Sequence, residues 1–268
     1  MSRKPLVLAV LAAICLALPA LSAARAKPGG GKSPTGYDIS YPQCGGAFPT
    51  NVLFGIVGVN DGIVYSANPC LGAGSGPSEL GWAEQYQQPA SLYANTADPG
   101  PALSSRWPKG QTSPQICDAA APDSASCSYD YGWNASADSY RDAVDAYVSL
   151  GRLAPGATRT PQPNGWWLDV ESANSWEQNT TNNVAELQGE VDYLRSQGVT
   201  TVGFYANAGD WLTITGGTAV FASSPSWRAG AGSQATAQSY CGTRGVTGGA
   251  VQYSQYASGG YDADVRCF

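Results

Sequence analysis

The sequence of 268 residues contains no histidine. This absence excludes Ser-His-Asp and Cys-His catalysis, in which an imidazole takes up the proton of the nucleophile. It also removes a common metal ligand, and no Cys-x-x-Cys pair is present to suggest a zinc motif. Carboxylates are therefore the obvious acid-base groups, and we expect their chemistry to require no cofactor.

Basic residues are also scarce. Without the predicted signal peptide described below, the chain keeps 11 Lys and Arg against 20 Asp and Glu, a net charge of −9. Nucleic acid is therefore not an expected partner. An anionic polymer would not be held by charge either, so any polymer binding would rest on shape, hydrogen bonds and the faces of 8 Trp and 15 Tyr.

Residues 1–26 are predicted to be a secretory signal peptide. Arg3 and Lys4 precede an apolar stretch, and Ala24-Arg25-Ala26 forms an A-x-A cleavage site. An uncleaved anchor is the alternative, but Pro19 interrupts the stretch and its length is marginal for a membrane span. We expect a secreted protein, extracellular or associated with the cell wall, with no stable membrane insertion after cleavage. Residues 27–35, rich in Gly and Pro, are expected to form a flexible linker.

The cysteines agree with export. Removal of Cys15 with the signal leaves six, an even number that favours three disulfides in an oxidising compartment. Six cysteines allow 15 pairings. We favour the sequence-local set, because each bond then closes a short excursion between predicted core elements: Cys44 with Cys70, Cys117 with Cys127, and Cys241 with Cys267.

Residues 36–268 are predicted to form a single α/β domain, an irregular TIM-like (β/α) barrel. Helical periodicity is clear at 137–150 and 182–197, and residues 96–130 form a long irregular excursion typical of a binding loop or lid. Short apolar strands are predicted between turn-rich segments, at 36–40, 54–59, 91–95, 165–171, 201–205, 226–229 and 250–256. We expect a monomer.

Asp169 and Glu171 are the main indication of function. They end the run Gly165-Trp-Trp-Leu-Asp-Val-Glu171, and in a strand both would point to the same face, with Cα atoms roughly 6.5 to 7 Å apart. At that distance one carboxylate raises the pKa of the other and keeps it protonated. A proton donor beside an anion is typical of glycosidases, with Glu171 as donor and Asp169 as the anion.

Further acids are predicted at the same end of the barrel. Asp38 lies on the first strand, and Asp262 and Asp264 follow the strand at 250–256. A closed barrel brings its first and last strands side by side, so these acids should be neighbours. Tyr93, Trp107, Trp133, Tyr205 and Trp227 are candidate sugar-stacking residues, although packing is the commoner use of aromatic side chains.

Several segments resemble family-25 glycoside hydrolases, the lysozyme-type muramidases, or a related group of secreted glycoside-hydrolase-like barrels. They are Gly36-Tyr-Asp-Ile-Ser40, Trp167-Leu-Asp-Val-Glu171, Gly203-Phe-Tyr205, Gln252-Tyr-Ser254, and Asp264-Val-Arg-Cys-Phe268. The resemblance implies an irregular barrel that cleaves the glycan of peptidoglycan between N-acetylmuramic acid and N-acetylglucosamine. It implies Glu171 as proton donor, Asp169 as its charged partner, and Asp38 and Asp264 as further active-site acids, with Asp264 matching better than Asp262.

Two other functions fit the residues. One is a glycan-binding barrel without catalysis, because folds outlive chemistries. The other is hydrolysis of another polysaccharide such as chitin, although the catalytic strand lacks the Asp-x-x-Asp-x-Asp-x-Glu pattern of chitinase barrels. The sequence also leaves open whether Asp169 stabilises the transition state directly or orients a substrate acetamido group.

Overall fold

The computed structural model describes residues 35–74, 76–161 and 164–268. The predicted signal peptide and residues 27–34 of the predicted linker lie outside this part of the chain. The first strand begins at Thr35, which the sequence assigned to the end of the linker. None of the helices formed by the described residues is long and apolar enough to cross a membrane.

Eight strands close into one barrel in sequence order. Strands β1 to β7 pair in parallel, and β8 runs antiparallel to both β7 and β1. The strands are β1 (Thr35–Ile39), β2 (Val52–Gly58), β3 (Ser91–Asn95), β4 (Gly165–Asp169), β5 (Thr201–Ala206), β6 (Ser226–Ala231), β7 (Val251–Ser258) and β8 (Tyr261–Arg266). The prediction of an irregular α/β barrel is confirmed.

Besides a short 3-10 helix at Tyr41–Gln43, six α-helices accompany the strands in the described part of the chain. They are α1 (Glu79–Ala83), α2 (Gly100–Leu103), α3 (Ala125–Ser149), α4 (Thr180–Ser196), α5 (Ala208–Thr215) and α6 (Gln234–Tyr240). The helix predicted at 182–197 corresponds to α4, where the Asn179 side chain accepts a hydrogen bond from the backbone of Thr181.

Helix α3 begins at Ala125, well before the predicted start at 137. Its first half buries Ser128, Asp130 and Ser136, and Ser136 donates to Glu190 of α4, so these polar residues interrupt the apolar periodicity in the sequence. Gly132 explains the close approach of the two helices, because a methyl group there would overlap the carbonyl oxygen of Glu186. The segment 96–130 is therefore irregular only at 96–99 and between α2 and α3.

The barrel is closed by a strand that the sequence did not predict. We expected the strand at 250–256 to be the last, but β7 turns through Gly259 and Gly260 into β8. Both glycines have positive φ, 66° and 87°, the conformation that a tight two-residue hairpin requires. Strand β8 escaped prediction because its alternation is reversed: the apolar Ala263 packs outward against α6, whereas Asp262 and Asp264 occupy inward positions.

Aromatic side chains fill the barrel interior. Phe54, Ile56, Trp167, Trp227 and Tyr253 form one buried cluster, and each is at most 3% exposed. They alternate along their strands with residues such as Val57 and Trp166, which pack outward against the helices. This packed interior forms the floor of the site described next.

Three disulfides link the predicted pairs, Cys44 with Cys70, Cys117 with Cys127, and Cys241 with Cys267. The sequence-local pairing is thus confirmed. The first connects the segment after β1 to the segment before α1, and the second connects the 96–130 excursion to α3. The third attaches the end of the chain to α6.

Candidate active site

Acidic side chains surround a cavity at the carboxyl ends of the parallel strands. The cavity measures about 120 Å³. We call it the central cavity, and its lining residues come from β1, β3, β4, β5, β6, β7 and β8 or the loop that follows β4: Asp38, Tyr93, Asp169, Glu171, Tyr205, Trp227, Gln255 and Asp262. Four of these eight residues are carboxylic acids and none is basic. A cavity with this lining can donate a proton to a bound ligand and can stabilise positive charge that develops on it.

Asp169 is the last residue of β4 and is 6% exposed. Strand pairing places Asn95 of β3 beside it, and the Asn95 Nδ2 donates to Asp169 Oδ2 at 3.0 Å. Burial raises the pKa of Asp169 well above its ordinary value, the charges of Glu171 and Asp210 raise it further, and the bond from Asn95 opposes the rise. The Oδ1 atom is buried with no protein partner among the described residues.

Glu171 lies two residues beyond Asp169, in the turn after β4, and it is half-buried. Burial raises the pKa of Glu171, and the charge of Asp210 is the next cause. From the sequence we expected a raised pKa for Glu171 beside an ionised Asp169. In the structure, burial raises the pKa of both carboxyl groups. The reason is that Asp169 is the deeper of the two, so that desolvation penalises its charged form as well.

A second acidic pair lies across the barrel. Asp38 of β1 pairs with Asp262 of β8, and Asp264 lies beneath them, 1% exposed, with Oδ1 accepting from Trp227 Nε1 at 2.7 Å. Burial and the charge of Asp264 raise the pKa of Asp38 well above its usual value. Burial likewise raises the pKa of Asp264 to about 7. Asp262, which fitted the family pattern less well, lines the cavity, whereas Asp264 supports it from below.

A hydrogen-bonded chain connects the two sides. The Tyr205 hydroxyl donates to Gln255 Oε1 at 2.7 Å, and Gln255 Nε2 donates to Asp38 Oδ2 at 3.1 Å. Gln255 was not a candidate from the sequence. It lies on β7 two residues after the buried Tyr253, so the period-2 alternation of that strand could have indicated its inward direction.

Tyr93, Tyr205 and Trp227 line the central cavity, but the other two aromatic candidates lie elsewhere. Trp107 is 7% exposed and stacks on Tyr131, so no free face remains for a sugar. Trp133 packs on the outer surface of α3, against Tyr129 and Tyr193. Both placements correct the sequence-based assignment. The sequence was ambiguous here because the position of a tryptophan in a loop or helix does not show whether its ring packs against the protein or faces a ligand site.

Asp210 and Asn95 are functional candidates that sequence reasoning missed. Asp210 is in the first turn of α5, where Ser172 Oγ donates to its Oδ1 at 2.6 Å and Asn207 Nδ2 donates to its Oδ2 at 2.5 Å. Ser172 directly follows Glu171, so this bond keeps a third charge close to the two central acids. Among the described residues, no group of three or more Cys, Asp or Glu could hold a metal ion.

Comparisons with known proteins point to lysozyme-like proteins. The family model Lysozyme-like protein 1 matches residues 157–240, a range that contains Asp169 and Glu171. This match agrees with the resemblance drawn from the sequence. No curated protein gives a significant match to the chain.

Two solved structures, one of a muramidase and one of a lysozyme, are similar to this chain. A muramidase from Trichobolus zukalii is 18% identical, with a TM-score of 0.49, over 87% of this chain and 93% of that one. The bacterial lysozyme from Streptomyces coelicolor is 17% identical, with a TM-score of 0.48, over 88% of this chain and 93% of that one. Similarity at this level defines neither a substrate nor a reaction.

Proposed function

We propose that the protein is a secreted glycoside hydrolase that cleaves the glycan strands of peptidoglycan, with Glu171 as general acid and Asp169 as its partner carboxylate. The observation that carries the proposal is the central cavity, where Asp169 and Glu171 meet Asp38 and Asp262 above a floor of aromatic side chains. Three disulfides support an oxidising, extracellular location.

Glu171 is the better proton donor of the central pair. It is half-buried at the mouth of the cavity, where a glycosidic oxygen can reach it, and burial and Asp210 both favour its protonated form. Asp169 accepts a hydrogen bond from Asn95, and such a bond favours the ionised form of the Asp169 carboxyl. Asp169 is therefore the anion of the pair once Glu171 has given its proton to the substrate. Its anion would then stabilise an oxocarbenium-like transition state or orient an acetamido group.

Release of new reducing ends from purified peptidoglycan tests the proposal. The oxidised wild-type protein, Glu171→Gln and the control Asp145→Asn are compared, with products identified by mass. Asp145 is an exposed acid on α3 that does not line the central cavity. General acid catalysis contributes typically about 10² to 10⁴-fold, so Glu171→Gln should lose turnover by that factor while Asp145→Asn keeps it.

The products define the bond. Muramic-acid reducing ends that disappear in Glu171→Gln support a muramidase. Normal turnover by folded Glu171→Gln contradicts the assignment of the general acid. No release from several wall types by the folded wild type contradicts hydrolysis and favours a glycan-binding barrel, while release only from chitin oligomers favours a different polysaccharide.

A further inference from the structure

Helix α5 begins next to the turn that carries Glu171. Strand β5 pairs in parallel with β4 as far as Asp169 and Tyr205, and α5 starts soon after β5, at Ala208. The first turn of α5 therefore lies at the same end of the barrel as the central cavity. This helix contains one charged residue, Asp210, and it stands in that first turn.

Asn207 and Asp210 cap the helix reciprocally. Asn207 Oδ1 accepts a hydrogen bond from the Asp210 backbone N–H at 2.9 Å, and Asn207 Nδ2 donates to Asp210 Oδ2 at 2.5 Å. An acid is favoured here because the N-terminus of a helix is electropositive. The cap uses one carboxylate oxygen of Asp210 and leaves Oδ1 for a partner outside the helix.

That partner is Ser172, the residue after Glu171. Ser172 Oγ donates to Asp210 Oδ1 at 2.6 Å. On the other side of Glu171, the backbone N–H of Val170 donates to the Tyr205 carbonyl at 2.9 Å. Both neighbours of Glu171 are thus attached to the next unit of the barrel, one to β5 and the other to α5. We call the set of Ser172, Asp210 and Asn207 the α5 clip.

The clip also brings a negative charge towards Glu171. Burial is the largest cause of the raised pKa of Glu171 and the charge of Asp210 is the next, whereas the Tyr205 hydroxyl opposes the rise and the charge of Asp262 adds to it. Asp210 lies outside the described lining of the central cavity, so a ligand there leaves its charge in place. The other titratable groups in that lining are all acids or phenols: Asp38, Tyr93, Asp169, Tyr205 and Asp262.

We propose that Asp210 is a positioning residue for Glu171. Through Ser172 it holds the turn that directs the Glu171 side chain into the central cavity, and its charge keeps the proton on the Glu171 carboxyl until a ligand takes it. This inference rests on the proposed function in naming Glu171 the general acid. The effect of Asp210 on the Glu171 proton can nevertheless be measured without substrate.

Titration of the Glu171 carboxyl by NMR tests the charge. The chain has six glutamates, so carbon-13 labelling of their carboxyl groups gives few signals, and Glu171→Gln identifies the one from Glu171. Asp210→Asn keeps the shape of the side chain and removes its charge, so the Glu171 midpoint should fall by at least about 0.5 pH unit. Asp210→Glu should return it to within about 0.3 unit of wild type. An unchanged or higher midpoint in Asp210→Asn would overturn the proposal.

Ser172→Ala separates the attachment from the charge. Asp210 keeps its charge in this variant, so the Glu171 midpoint should stay within about 0.3 pH unit of wild type. The kcat for release of reducing ends should fall about three- to tenfold and KM should change less than about twofold, because Glu171 is held less firmly in its working position. A wild-type kcat in folded Ser172→Ala would refute the positioning role.

Ser233→Ala is the matched control. Ser233 caps α6 as Asn207 caps α5, with Oγ accepting from the Thr236 N–H, and it lies outside the described lining of the central cavity. Loss of this cap should leave both the Glu171 midpoint and kcat at wild-type values. A midpoint that falls as far as in Asp210→Asn would show a general loosening and overturn the proposal. Unfolding curves verify that each variant folds.

The two proposals fail separately. A Glu171 midpoint that falls in Asp210→Asn, in a protein that releases no reducing ends, would contradict hydrolysis and support the action of Asp210 on Glu171. Hydrolysis that depends on Glu171, with a midpoint indifferent to Asp210→Asn, would do the reverse.

Discussion

Glu190 allows a sharp test of how burial governs the stability of this barrel. It lies 1% exposed in the interface of α3 and α4, where Ser136 Oγ donates to its Oε2 at 3.1 Å. Glu186, one helical turn earlier, and Asp98, in the loop after β3, are also fully buried nearby. Burial raises the pKa of Glu190 from 4.5 to about 7. We predict that Glu190→Gln stabilises the protein at alkaline pH.

The sign follows from linkage. A carboxyl whose pKa is raised on folding costs nothing below about pH 4.5, where both states are protonated, and its penalty grows until the pH passes 7. A rise from 4.5 to about 7 corresponds to about 3 kcal/mol at most. Because Glu186 shares the site and takes over part of the titration, we expect Glu190→Gln to gain about 1 to 3 kcal/mol at pH 8 and less than about 1 kcal/mol at pH 5.

Urea unfolding of the oxidised protein at pH 5, 6, 7 and 8, at one ionic strength, measures this. Wild type should lose stability across the series, since burial also raises the pKa of Asp98, Glu79 and Asp264 to about 7. Glu190→Gln should flatten the loss, and Asp145→Asn, which removes an exposed acid from α3, should alter it much less. A wild type that gains stability from pH 5 to 8, or a Glu190→Gln protein less stable at pH 8, would refute the reasoning.

Two further substitutions probe the packing. Gly132→Ala should destabilise the protein by about 1 to 3 kcal/mol or more, because the new methyl group meets the Glu186 carbonyl. A thermal midpoint equal to that of wild type would contradict the close contact between α3 and α4. Trp227→Phe removes the hydrogen-bond donor to Asp264 and should lower the free energy of unfolding in urea by about 1 to 3 kcal/mol. The loss should be larger at pH 8 than at pH 5, because the Trp227 bond favours the ionised Asp264 carboxyl. An equal loss at the two pH values would contradict this role of Trp227.

The central acids could be predicted because period-2 alternation is a local property. Trp167 and Asp169 point into the barrel as the strand pattern required, and Glu171 reaches the same cavity although β4 ends before it. The neighbourhood of Asp38 and Asp262 followed from barrel closure. The direction of the closing strand did not, because two glycines after β7 decide it and the inward positions of that strand are acids.

Other parts of the site depend on contacts between distant segments. Asn95 acts on Asp169 through the register of β3 against β4, and a single sequence carries no record of register. The early start of α3 is hidden because small and polar residues interrupt the apolar pattern of its inner face. Trp107 resembled a ligand-binding residue only until its stacking partner, Tyr131, was known.

The antiparallel direction of β8 decides how the domain can be attached to anything else. Strand β1 starts at Thr35 on the face opposite the central cavity, and β8 returns to that same face, ending at Arg266. Phe268 there packs edge-on against Tyr253 with ring centroids 5.7 Å apart, and the Cys241–Cys267 bond fixes the terminus. A dye, an affinity tag or a solid support coupled at either end of the domain would therefore leave the acids facing outward.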